Sequence, residues 1–191
     1  MIAHACKAHG DATNLTFVEG DAERLSFDQQ FDLVTSFTCL QWVKDQQGAL
    51  SGIYRSLKPG GALLVTYPME GMLTDAIAHT RNSSRWKRYF ENYIPKTTFY
   101  TPAQYDNMLR SAGFVNRKVE GHLTITWMDS AAAMGRWMSQ WLDEKYQVPE
   151  SERERFVADI VAHYLTNQVC QDGKLGVRLE VFMASASKPL V

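Results

Sequence analysis

The sequence predicts an α/β protein built on a doubly wound, mostly parallel sheet with helical insertions. Three observations carry that expectation. FDLVTSFTCLQWVKDQQGALSGIYRSLKPGGALLVTY, Phe31 to Tyr67, reads as strand, helix and strand. Its first strand, FDLVTSF, is a run of the kind found where helices cover both faces of a parallel sheet. Across the chain the order is αβ, βαβ, helices, β, helices, β, which layers helices on a central sheet.

In chain order, NLTFVEGDA reads as a short strand, Leu15 to Val18, followed by acidic and small residues. After FDLVTSF, Asp45 is placed to cap a helix whose Leu50, Ile53, Tyr54 and Leu57 fall at i, i+3, i+4 and i+7. Pro59 cannot continue that ladder, and Gly60 and Gly61 allow positive φ for the turn into ALLVTY. Beyond Pro68, Leu73, Ala76 and Ile77 keep helical spacing, and an aromatic cluster of Trp86, Tyr89, Phe90 and Tyr93 follows. In TPAQYDNMLRSAGF, Thr101 and Gln104 form a capping box with Pro102 at the first helical position, and Gly113 closes the helix. VNRKVEGHLTITW predicts a strand or bent strand pair. Two more helices carry Met134, Trp137, Met138, Trp141 and Leu142 on one face, and Phe156, Ile160 and Tyr164 on the other's. QDGKLG reads as a turn into a C-terminal strand, VRLEVFMASASK.

Composition narrows the function classes. With 191 residues, 45% apolar, 21% charged and a net charge of −1, the chain has no general attraction for nucleic acid or anionic membranes. SRWKRYF, Ser84 to Phe90, is basic and aromatic but short, as an exposed helix face would be. No run approaches the ~20 apolar residues of a membrane span. MIAHACKAHG lacks the apolar segment of a secretion signal. Cys6, Cys39 and Cys170 contain no C-x-x-C pair, so neither a disulfide framework nor a zinc site is expected, and the chain reads as cytoplasmic. The five histidines form no H-E-x-x-H pattern, and no metal is expected.

In an open α/β sheet, ligands lie beyond the carboxyl ends of the strands. Two such ends are visible. In EGDAERL, the Asp21 carboxylate can accept from an exocyclic amine and the Ala22 N–H can donate to a ring nitrogen, which together would hold an adenine edge. The competing reading is that Asp21 caps the following turn. In TCLQW, Thr38, Cys39 and Gln41 offer hydroxyl, thiol and amide groups, and Trp42 an indole N–H. Here the competing reading makes Trp42 a core anchor.

EGDAERL, FDLVTSFTCLQWV and ALSGIYRSLKPGGALLVTY together resemble the Rossmann-like (class I) S-adenosylmethionine-dependent methyltransferases, and YTPAQYDNMLRSAGF and EVFMASASKP resemble that family's late elements. SFTCLQWVKDQQGALSGIYRSLKPGG is most similar to the branch that methylates small carboxylic acids, such as juvenile hormone acid and trans-aconitate. There the usual pattern is Leu-His-Trp, where this chain has Gln41.

The resemblance implies S-adenosyl-L-methionine as cofactor, with Asp21 and Ala22 at adenine and the backbone of Thr38 and Cys39 at the methionine end. It implies a small-molecule acid as substrate, oriented by N–H donors of Gln41 and Trp42, and no nucleic-acid or membrane partner. A carboxylate is ionised at neutral pH and needs no general base, so no catalytic side chain is expected. Trp86, Tyr89, Phe90 and Tyr93, with Trp137 and Trp141, would form an apolar lid over the acid or an ordinary core. The family's first strands and Gly-rich loop are not matched, so one methyltransferase domain over 1–191, N-terminally incomplete, is expected, with substrate-side helical insertions at 69–100 and 128–170. The alternative is a non-catalytic remnant or interaction partner unable to bind the cofactor. A nicotinamide-dependent enzyme would need a Gly-x-Gly-x-x-Gly loop, which the chain lacks.

Overall fold

The computed structural model describes residues 2–166, 170–171 and 173–191. A first helix, α1 (Ile2–His9), buries none of its residues. The crossover follows: β1 (Phe31–Phe37), α2 (Gln46–Ser56) and β2 (Leu57–Pro68). Next come α3 (Met72–Asn82), α4 (Pro102–Ser111), β3 (Val115–Met128), α5 (Ala131–Trp141) and α6 (Arg153–Leu165). The chain closes with β4 (Cys170–Gln171) and β5 (Lys174–Ser187).

The sheet runs β1-β2-β5-β3, with the short β4 paired to β5. Among the described residues only β1 and β2 are parallel, with Val34 opposite Leu63 and Ser36 opposite Val65. β5 is antiparallel to β2 and to β3. The sheet is therefore mixed: its parallel character is confined to the crossover, because the last strand returns between β2 and β3.

Local chemistry explains the helix ends. The Asp45 carboxylate accepts from the Gly48 N–H at 2.8 Å and caps α2. At α4, Thr101 Oγ1 accepts from Gln104 N at 3.3 Å while Gln104 Oε1 accepts from Thr101 N at 2.8 Å, closing the capping box. Gly113 holds φ +97° with the Tyr54 ring against it, a position where a side chain would be strained and crowded.

Two apolar clusters result. The first packs α2 and α4 on the sheet through Leu50, Leu57, Leu63, Tyr67, Tyr105, Leu109, Phe114 and Phe182. The second joins α3, α5 and α6 with Trp86, Phe90 and Val177. Each fully buried side chain of this size contributes on the order of 1.5–3 kcal/mol.

Two expectations fail or sharpen. Residues 15–18 form no strand, and Leu15 and Val18 are 51% and 61% exposed. A strand exists only as a member of a ladder, and among the described residues β1 pairs with β2 alone. The same open flank leaves Leu33 and Phe37 56% and 58% exposed. β3 is a single strand with one register irregularity between Val115 and Lys118, where Asn116 takes positive φ. Asp172, in the expected QDGKLG turn, and the side chain of Cys170 lie outside the described residues. Among the described residues no helix is long and apolar enough to cross a membrane.

Candidate functional site

The carboxyl end of β1 passes into a knot held by side chains standing in for backbone partners. Thr38 has φ +46°, and its N–H donates to the Thr66 carbonyl at 3.0 Å, carrying the β1–β2 ladder one residue further. Gln41 Nε2 donates to the Thr38 carbonyl at 2.8 Å, across the single turn Leu40–Trp42. The buried Gln46 donates to the carbonyls of Leu40 and Val43. These amides satisfy the carbonyls of Thr38 and Val43 and add a second donor to that of Leu40, which already accepts from Val43 N.

The loop at Asp21 belongs to the same rim. Glu23 Oε1 accepts from Lys44 N at 2.8 Å and Asp45 N at 2.9 Å. That one carboxylate ties residues 21–24 to the segment between the knot and α2.

Beside the knot lies a cavity of about 640 Å³. Thr38, Gln41 and Trp42 line it from the sheet, with Pro68 to Gly71 after β2 and residues 178–181 of β5. Leu73, Ile77 and Arg81 of α3, Trp137 and Trp141 of α5, and Asp143 and Glu144 complete the helical wall. The segment from Tyr93 to Phe99 crosses between the two halves. It is anchored where Thr98 N donates to the Gln41 carbonyl at 3.0 Å and Tyr67 Oη donates to the Thr98 carbonyl at 2.6 Å.

The charges in the wall are not all paired. Lys96 Nζ lies 2.9 Å from Asp143 Oδ2. Burial pushes the Glu144 carboxyl above its ordinary range, against the pull of Arg81 and a hydrogen bond with Tyr93. Burial and the Glu144 charge in turn push the Tyr93 phenol up, and the Arg81 guanidinium sits 5.7 Å from that ring's centroid. Arg81 and Arg178 make no ion pair among the described residues. A guanidinium can take a carboxylate in bidentate fashion, and the same lining also holds Glu70, Glu144 and Glu180. Among the described residues no three His, Cys, Asp or Glu side chains are grouped to hold a metal ion.

Of the residues singled out from the sequence, Thr38, Gln41 and Trp42 meet in this cavity, and Asp21, Ala22 and Cys39 lie outside its lining. Asp21 does cap the turn Ala22–Arg24, accepting from Glu23 N at 3.0 Å, but a carboxylate has lone pairs left for a second donor. The N–H of Ala22 opens that turn and has no acceptor inside it. Cys39 is an exposed free thiol. Trp42 is 41% exposed on the cavity and is not a core anchor.

The aromatic set divides. Trp86 and Phe90 are buried core, whereas Tyr93, Trp137 and Trp141 line the cavity. The sequence reading missed Arg81, Arg178 and Glu144. Arg81 did leave a signal, continuing the spacing of Leu73 and Ile77 and so placing a charge on the buried stripe of α3.

A family model described as a methyltransferase domain matches residues 1–65. Juvenile hormone acid O-methyltransferase of Drosophila melanogaster is 31% identical over 130 residues, 63% of this chain and 44% of that protein. The YcgJ protein of Bacillus subtilis superposes over 98% of this chain and 76% of its own, with a TM-score of 0.61 and 18% identity. Phosphoethanolamine N-methyltransferase 2 of Haemonchus contortus, solved with phosphomonomethylethanolamine and S-adenosylhomocysteine, gives a TM-score of 0.57 at 22% identity, over 99% of this chain and 41% of its own. The chain spans about half the length of the curated relatives it matches, 58% and 44% for the first two. With a methyltransferase-domain match over its first third and a likeness to solved structures over nearly its whole length, the chain has a Rossmann-like fold and resembles the class I S-adenosylmethionine-dependent methyltransferases.

Proposed function

We propose that the protein transfers a methyl group from S-adenosyl-L-methionine to the carboxylate of a small-molecule acid held in the cavity beside Thr38, Gln41 and Trp42. The observation that carries this reading is the pair of guanidiniums, Arg81 and Arg178, in the cavity wall without an ion-pair partner among the described residues. The 31% identity to a juvenile hormone acid O-methyltransferase supports it.

The rim fits the cofactor by its donor set. Asp21 and the free Ala22 N–H present an acceptor and a donor side by side for an aminopyrimidine edge, and Glu23 keeps that loop beside the knot. Thr38 and Cys39 would border the methionine end. The sulfonium donor supplies an electrophilic methyl carbon, which a carboxylate oxygen attacks as the carbon–sulfur bond breaks and its electron pair stays on sulfur. No proton moves in that step. What the chain contributes is placement: arginine contacts fix the acid, and the walls of Trp42, Trp137 and Trp141 exclude water. Alignment of this kind supplies on the order of 7–11 kcal/mol of a barrier. The helical segments at 69–100 and 128–170 act in this reading as the substrate-side unit.

Labelled-methyl transfer to a panel of aliphatic acids, amines and phenols tests the proposal. Transfer to acids is expected; transfer confined to amines or phenols rejects the carboxylate assignment. A second reading, a non-catalytic partner subunit, is favoured by the uncovered flank of β1 at Leu33 and Phe37. Calorimetry with S-adenosylhomocysteine separates the two, since micromolar binding removes the second.

A further inference from the structure

Among the buried side-chain polar atoms of the described residues that lack a hydrogen-bond partner, two on cavity-lining residues take part in no ion pair either and have opposite character. They are the acceptor Gln41 Oε1 and the donor Trp141 Nε1. Asp143 Oδ2 also lies there but is engaged by Lys96. Gln41 is 7% exposed, so bulk water does not satisfy its oxygen.

The polarity of the Gln41 amide follows from its neighbour. Its nitrogen donates to the Thr38 carbonyl at 2.8 Å, and the reversed amide would set two acceptors against each other. The end left wholly without a partner is therefore the oxygen, while the amide's second N–H is the donor the sequence expectation would use. The residue forms part of the cavity wall, and the terminal torsion of glutamine is broad. A small turn of the amide plane presents Oε1 to a ligand while the nitrogen stays near Thr38.

We propose that Gln41 sets acceptor specificity by accepting a hydrogen bond from a hydroxyl group of the acid, so that hydroxy acids are taken in preference to plain ones. The inference rests on the carboxylate reading given above. Trp141 Nε1 supplies a complementary donor for an oxygen of the same ligand. A site whose buried acceptor is paired only by the right ligand discriminates strongly against the analogue that lacks the donor.

The test compares octanoate with 2-hydroxyoctanoate and 3-hydroxyoctanoate by calorimetry on the protein and on Gln41→Met. In parallel, the ¹⁵N resonance of the Gln41 side-chain amide is followed in the unsubstituted protein, which keeps the test intact should the variant not fold. One hydroxy acid is expected to bind about tenfold or more tightly than octanoate, with the ratio falling to about one in Gln41→Met and the Gln41 resonance moving only with the hydroxy acid. Equal binding of all three acids overturns the inference and leaves the carboxylate reading standing. If no acid binds but 1,2-octanediol moves the Gln41 resonance, the hydroxyl contact stands and the carboxylate reading falls. Movement of that resonance with S-adenosylhomocysteine alone assigns the donor to the cofactor and overturns the inference.

Discussion

The Thr98 N–H donates to the Gln41 carbonyl at 3.0 Å, so the segment bridging α3 and α4 hangs from the turn that follows β1. The two cavity walls are thereby fixed relative to each other through one residue of the knot. The opposite side of Thr98 is held as firmly, because its carbonyl accepts from Tyr67 Oη at 2.6 Å and the Tyr67 ring stacks on Phe182 at 5.1 Å in the first core.

Tyr67→Phe keeps the stack and removes the hydroxyl. The loss is about 1 kcal/mol, with the Thr98 carbonyl left partly unpaired. In a protein of this size that lowers Tm by roughly 2–4 °C. Thermal unfolding followed by circular dichroism reads it, and faster amide exchange at Thr98 is expected in the variant. An unchanged exchange rate would show that the segment is held elsewhere.

Glu23→Ala removes the carboxylate that spans the Asp21 loop and the start of α2. Two charge-assisted hydrogen bonds at this exposed site are worth about 1 kcal/mol together. Urea unfolding should show a lower midpoint, and the Lys44 and Asp45 amides should lose protection from hydrogen exchange. If this loop holds adenine, S-adenosylhomocysteine affinity falls with them.

Glu144 gives a pH signature. Its carboxyl is raised from the ordinary 4.5 chiefly by burial. A raised acid is neutral in both folded and unfolded chains at low pH and costs nothing there. As pH climbs through the folded value, ionising it in place becomes unfavourable and stability is lost. Glu144→Gln lacks that loss, so its Tm relative to the unsubstituted protein should rise between pH 4 and pH 8. A difference that shrinks with pH would mean that Arg81 and Tyr93 outweigh burial.

The flank of β1 predicts an effect on association. Leu33→Lys and Phe37→Lys place charge where the side chains are more than half exposed. Stability should change by no more than about 0.5 kcal/mol, as at ordinary surface sites. Light scattering should report reduced self-association, because a charged side chain blunts a bare strand edge. A loss above about 2 kcal/mol would show that this flank is covered in the folded protein.

What the sequence determined unaided was what neighbouring residues dictate. The crossover from Phe31 to Tyr67, the α4 capping box at Thr101 and Gln104 and the inward stripe of Phe156, Ile160 and Tyr164 depend on spacings within a few turns of chain. The knot at Thr38, Gln41 and Trp42 was legible for the same reason, as a polar break at a strand's end. The tertiary structure alone decided the rest. Residues 15–18 have strand chemistry but no ladder, because pairing is a property of two segments. Trp86 and Phe90 are core while Trp137 and Trp141 face the cavity, because helix periodicity gives a buried side without saying what lies across it. Arg81 and Arg178, nearly a hundred residues apart, share one wall only once α3 is set against β5, and the carbonyl of Thr38 is what holds the Gln41 nitrogen and leaves its oxygen without a partner.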